Sequence, residues 1–171
     1  MEVSIPVLQV VGYKKSGKTT LIKKIIEEAT SRGLRVAALK HHGHGGPPEA
    51  AEGTDSVVHQ RAGAVMSGVA GEGVLQLSIV VEDWPIDKIM AFYALVSFDF
   101  LVIEGYKKER FPKIVLVRKE EDLHLIEDLT EIVAIISPEH VKIKRGNYEI
   151  FTNQEECLSW IMDYMISSLK K

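Results

Sequence analysis

Nine consecutive residues, Gly12-Tyr13-Lys14-Lys15-Ser16-Gly17-Lys18-Thr19-Thr20, commit this chain to one kind of local structure. Gly12, Gly17, Lys18 and Thr19 have the spacing G-x-x-x-x-G-K-[ST] of a phosphate-binding loop, and Thr20 adds a second hydroxyl. Glycines let successive backbone N–H groups turn inward around phosphate oxygens. Lys18 can then reach the β and γ oxygens, and Thr19 can ligate Mg²⁺ where a helix begins. The dipole of that helix adds favourable charge at the same point. Lys14 and Lys15 are either solvated loop charges or cations that neutralise phosphate, in this subunit or a neighbouring one.

Such a loop needs a strand before it and a helix after it, and the sequence supplies both. Ile5 to Val11 is rich in β-favouring residues and runs straight into Gly12. Leu21, Ile22, Ile25, Ile26 and Ala29 then mark the apolar face of a helix, opposite Lys23, Lys24, Glu27 and Glu28, with Gly33 as its stop. A second strand is expected over 35–40 and two β-favouring runs within 64–81, joined by Gly71-Glu72-Gly73. So short a link can only reverse the chain, so the pair is either part of a mixed sheet or an arm outside it. A helix over 86–96 follows, then strands over 98–105, 113–118 and 132–137. A last helix from about 154 to 169 is expected, with Thr152 and Glu155 spaced as a capping box. The pattern predicts an α/β fold of the P-loop NTPase type: three layers, a mostly parallel central sheet and an antiparallel hairpin arm. With 171 residues and no linker or repeat, a single nucleotide-binding domain is expected.

The formal charge of -3 gives no reason to expect a nucleic-acid or membrane-surface partner, so any basic site must be local. No apolar run approaches the roughly 18 residues of a membrane span. Cys157 is the only cysteine, which suits a reducing cytoplasm, and it lies at an apolar helix position that reads as core.

Two further groups complete the candidate site. Glu104 ends a strongly hydrophobic strand abruptly in an acid and is the candidate for the Walker B role. Glutamate is one methylene longer than the usual aspartate, which favours a water-bridged metal contact or a hydrogen bond to Thr19. Thr19 and Glu104 are thus the candidate metal residues. The second group is the loop after the second strand, where His41, His42 and His44 follow Lys40, with Asp55 further along. Adjacent histidines in an extended chain point to opposite faces, so phosphate or substrate contact is favoured over a dedicated metal site. His59 is expected to face outward from a short helix.

In these features the chain resembles the MobB-type proteins of molybdenum cofactor biosynthesis. The resemblance is carried by GYKKSGKTTL, KHHGH, Asp55-Ser56, RAGA at 61–64, LVIEGYK at 101–107 and KIVLVR at 113–118. It implies a GTP-binding accessory protein, at most a slow GTPase. Such a protein assists the guanylyltransferase that attaches GMP to molybdopterin, itself a possible ligand. It also implies a homodimer, which would give the hairpin a purpose as an intersubunit arm. By position, Gly12 to Thr20, including Ser16, would be the nucleotide loop and Glu104 the Walker B acid. Lys40, His41, Asp55 and Lys107 would be polar groups around the phosphates or the partner's substrate. Two departures stand out: Gly43 replaces the first of a usual histidine pair, and Thr54 replaces a usual lysine. Guanine preference comes from the resemblance alone, since no [NT]-K-x-D is present. The competing readings are a metal-delivery NTPase using the histidine loop and a small-molecule kinase. The kinase reading lacks an arginine-rich lid, because Arg61, Arg110 and Arg118 are scattered.

Overall fold

A computed structural model describes residues 5–43 and 55–169. The chain divides into two compact units, one formed by the segments up to Gly43 and from Val96 onward, the other by His44–Leu95.

The first unit is built on a six-stranded, wholly parallel sheet. In chain order its elements are β1 (Val7–Gly12), α1 (Lys18–Ser31) and β2 (Val36–Lys40), then β5 (Phe100–Glu104), β6 (Lys113–Leu116) and α4 (His124–Glu127), and last β7 (Ile132–Ile136), β8 (Glu149–Phe151) and α5 (Gln154–Ser168). The strands lie in the order β2-β5-β1-β6-β7-β8. The phosphate-loop strand β1 therefore sits between β5, which ends in Glu104, and β6. Such an arrangement brings the loops at the carboxyl ends of neighbouring strands together, where open α/β sheets bind ligands.

Both faces of this sheet are covered. Leu8 and Val10 point to a core shared with Leu21, Ile22 and Ile25 of α1 and with Cys157, Ile161 and Met162 of α5. Val11, Val115 and Ile135 pack with Leu125 and Val141 on the opposite face. This accounts for the apolar runs of β1 and β5, broken only by Gln9 and the terminal Gly12 and Glu104, since a parallel strand is buried on both sides. Cys157 is core, as its position suggested, and burial pushes its thiol up to about 12.

Helix α1 stops where expected. Gly33 adopts φ 81°, and the Leu34 N–H reaches back to Ala29 O at 3.0 Å, closing the last turn. The start of α5 differs from expectation by one residue. Asn153, not Thr152, is the cap, its side-chain oxygen accepting from Glu156 N at 2.9 Å. Glu155 instead meets Lys24 of α1 at 2.6 Å. Asparagine caps at least as well as threonine, and with it at the cap the third helical position falls on Glu156 rather than Glu155.

The second unit contains α2 (Asp55–Arg61), the antiparallel pair β3 (Met66–Gly71) and β4 (Val74–Ile79), and α3 (Ile86–Tyr93). The hairpin is a separate two-stranded sheet rather than part of a mixed one. His59 is exposed on α2, as read from the sequence. No helix among the described residues is long and apolar enough to cross a membrane. His44, Thr54 and the whole of the loop between them lie outside the described residues.

Candidate phosphate and metal site

Between Gly12 and Lys18 the backbone is curled by two left-handed residues, Lys15 (φ 62°) and Gly17 (φ 97°). Gly17 is also the N-cap of α1 and offers no side chain to its first N–H groups, which leaves them for a ligand. Space reinforces the choice of glycine. A Cβ on Gly12 would stand 2.5 Å from Ser16 Oγ and 3.0 Å from Leu116 O, so the loop closes tightly only without one. On Gly17 it would approach the Gln154 side-chain nitrogen to 3.2 Å. Ser16 is buried inside the bend, its N–H donating to Tyr13 O at 3.2 Å. Arg118, read from the sequence as an isolated cation, donates to Lys15 O at 2.7 Å and so braces the loop from the end of β6.

Around this loop the first unit gathers charge. Thr19 Oγ1 lies 3.0 and 3.2 Å from the two oxygens of Glu104, the threonine contact that the longer acid favours. Glu104 also pairs with Lys40 at 3.6 Å, and only 12% of its side chain is exposed. The backbone N–H of His41 donates to Glu104 O at 2.9 Å, which extends the β2–β5 pairing by one residue. Lys18 Nζ donates to Tyr13 O at 2.8 Å. Partial burial pushes the Lys18 ammonium below the usual lysine range. The Glu104 carboxylate opposes that shift, and the charges of Lys107 and Lys40 add to it. The Lys18 ammonium thus feels two further lysines and one carboxylate, an excess of positive charge suited to a polyphosphate.

Of the residues predicted from sequence, Gly12, Ser16, Gly17, Lys18, Thr19, Lys40, His41, Glu104 and Lys107 meet in the first unit. Lys14, Lys15 and Thr20 are exposed along the same loop and helix start. Lys107 Nζ lies 4.6 Å over the ring of Tyr13, a cation–π contact that ties the segment after Glu104 to the phosphate loop. The His41 ring is tilted against Tyr106, centroids 4.5 Å apart. Asp55 belongs to the second unit, where it is exposed at the start of α2. Among the described residues no group of three His, Cys, Asp or Glu side chains could hold a metal. What is present is a hydroxyl facing a carboxylate beside a helix N-terminus. That donor set fits a hard, oxygen-loving cation shared with phosphate better than a zinc- or nickel-type site.

The family model described as MobB, Molybdopterin guanine dinucleotide synthesis protein B, matches residues 7–138, from β1 through the phosphate loop and Glu104 to the end of β7. The chain belongs to the MobB family. Among MobB relatives, the probable molybdopterin-guanine dinucleotide biosynthesis adapter protein of Bacillus subtilis (strain 168) is 38% identical over 168 residues, covering 96% of this chain and 94% of the relative. The solved structure of Bacillus subtilis MobB is similar with a TM-score of 0.79 at 38% identity, over 93% of this chain and 97% of that one. The MobB homolog from Bacillus stearothermophilus gives 0.77 at 37% identity, over 94% and 98%. The likeness therefore runs through the last third of the chain, which the motifs alone matched only in outline. These MobB structures bear out the α/β fold with its mostly parallel sheet and antiparallel strand pair.

Proposed function

We propose that this chain is a GTP- and Mg²⁺-binding adapter of molybdopterin-guanine dinucleotide formation, assisting the guanylyltransferase that attaches GMP to molybdopterin. The observation that carries the reading is the meeting of Thr19 and Glu104 at 3.0 Å beside Lys18 and an uncapped helix start. It is supported by the biosynthetic role printed for the family and its relatives. The N–H groups at the start of α1 would receive phosphate oxygens. Lys18, freed from Tyr13 O, would bond the β- and γ-phosphates, and Lys40 and Lys107 would balance the remaining charge. Thr19 and Glu104 would hold the Mg²⁺, directly or through water, and the metal would supply neutralisation of the phosphate charge.

Among the described residues Arg118 is committed to the Lys15 carbonyl, and no arginine-rich lid follows the loop. That composition supports slow turnover at most, and binding and delivery as the task. Homodimerisation is part of the proposal. Paired strands place Met66, Ala70, Leu75, Leu77 and Ile79 on one face of the β3–β4 hairpin, and Met66, Leu75 and Leu77 are well exposed.

Titration calorimetry with GTP and ATP, with and without a candidate guanylyltransferase, tests base choice and partnership together. GTP is expected to bind more tightly than ATP. Lys18→Ala is expected to lower triphosphate affinity about a hundredfold, the value of one strong charge-assisted contact of about 3 kcal/mol. Unchanged affinity in that variant would refute the assignment of the loop.

A further inference from the structure

Gln9 lies in the middle of β1 between Leu8 and Val10 and is completely buried. A leucine would fill that place at no polar cost, whereas a buried amide needs partners. Its side-chain nitrogen donates to Gly105 O at 2.6 Å and also to Tyr106 O. Its oxygen has no hydrogen bond among the described residues. An unpaired buried acceptor is destabilising, so the two bonds the amide donates must offset that cost.

Those bonds fall on a tight bend. Gly105 (φ 90°) and Tyr106 (φ 51°) are consecutive left-handed residues directly after Glu104. A side chain resists this conformation, so the bend needs a hold beyond its own backbone preference. Gln9 provides it, and the consequences reach the site. Gly105 is pressed against His41, where a Cβ would meet His41 Cβ at 3.1 Å. The Tyr106 ring is turned onto His41 and Lys107 is sent over Tyr13. Lys113, the residue paired with Gln9 on β6, is also wholly buried. It donates to Glu109 O, Phe111 O and Thr130 O at 2.9, 2.9 and 2.8 Å. Two buried donors side by side therefore fasten both ends of the connection from Glu104 to β6.

We propose that Gln9 is a positioning residue of the phosphate and metal site: by clamping the Gly105–Tyr106 bend it holds the Glu104 carboxylate against Thr19, and so sets the metal-dependent part of nucleotide binding. The proposal rests on the nucleotide reading above. It separates two contributions, since the side-chain hydrogen bonds of Gln9 among the described residues go to Gly105 and Tyr106 rather than to the phosphate loop, which should keep its metal-free affinity when the clamp is removed.

The test is calorimetry of GTP binding with Mg²⁺ and with EDTA, on wild type, Gln9→Met, Gly105→Ala and the double variant. Methionine keeps the length and burial of Gln9 without a donor, and alanine disturbs the same bend from the His41 side. Each single variant is expected to lose about tenfold in the Mg²⁺ enhancement of GTP affinity, the value of one misplaced charge-assisted contact, with metal-free affinity nearly unchanged. The double variant should lose little more, because both changes act on one bend. An unchanged Mg²⁺ enhancement in folded Gln9→Met, or an equal loss with and without metal, would overturn the proposal while leaving the nucleotide reading intact. Should Gln9→Met fail to fold, an unchanged enhancement in Gly105→Ala overturns it equally. A wild-type chain that binds no nucleotide would remove the nucleotide reading, and this proposal with it.

Discussion

The two units of this chain solve the problem of apolar surface in opposite ways. In the first, strands and helices bury their aliphatic residues on both faces of the sheet, and all of the buried hydrophobic residues among those described lie there. In the second, neither α2 nor α3 has a buried residue, and the hairpin leaves Met66, Leu75 and Leu77 about half exposed or more. A sequence of ordinary globular composition has thus divided its apolar content into a part that satisfies itself and a part that a second surface would complete. The division follows function as proposed: a nucleotide site needs a rigid frame, whereas an assembly arm needs uncovered area.

The strongest way to break this comparison is to attack the self-sufficient unit from inside. Lys113→Met would leave the carbonyls of Glu109, Phe111 and Thr130 without their buried donor, and a loss of about 2–4 kcal/mol is expected by chemical denaturation. Burial holds the Lys113 ammonium below the ordinary lysine range, against the upward pull of Glu131 and Glu109. Between that lowered value and the ordinary one the unfolded chain binds more protons than the folded chain, so stability rises with pH across this window. The gap between wild type and Lys113→Met should therefore widen as pH rises there. A gap that stays constant would mean that the buried ammonium is not the cause.

A smaller effect is expected from the other unit, and of a different kind. Leu75→Asp places a charge on the apolar face of the hairpin. It should shift a dimer toward monomer by tenfold or more, as an unpaired charge at an interface costs about 2 kcal/mol, with little change in the melting of the first unit. Light scattering at monomer mass for the wild type across a broad concentration range would leave the exposed face without the proposed partner. The smallest change sharpens the comparison. Asn153→Ala should cost about 1 kcal/mol through loss of the α5 cap, read as a small drop in melting temperature, with dimerisation untouched.

Legibility followed the range of each pattern along the chain rather than the division between units. The phosphate loop, the Glu104 strand end and the Gly33 stop were readable because each is a local pattern whose backbone geometry is written in a few adjacent residues. The hairpin was readable because three residues between two strands permit only reversal. The short strand β8 and the turn-and-helix segment over 120–127 were not, because three or four residues carry no period. Thr152 was read as the cap for a related reason: two capping residues side by side are distinguished only by which one the helix reaches. Gln9 and Lys113 were passed over as ordinary members of apolar strands. A signal existed, since a polar residue between neighbours that must be buried on both faces has to bond to something, but what it bonds to lies about a hundred residues away for Gln9.

By itself, then, the sequence determined the longer elements, the mostly parallel sheet class, the phosphate loop and the acid at the end of its neighbouring strand, because these depend on periodicity and on backbone rules acting within a dozen residues. Only the tertiary structure decided that Gln9 and Lys113 fasten the connection after Glu104, that Arg118 braces the loop, that Lys40 pairs with Glu104, and that Glu104, Lys107 and Lys40 all act on the Lys18 ammonium. Those pairings depend on strand order and register, which bring distant residues within bonding distance, and a linear pattern does not encode a distance.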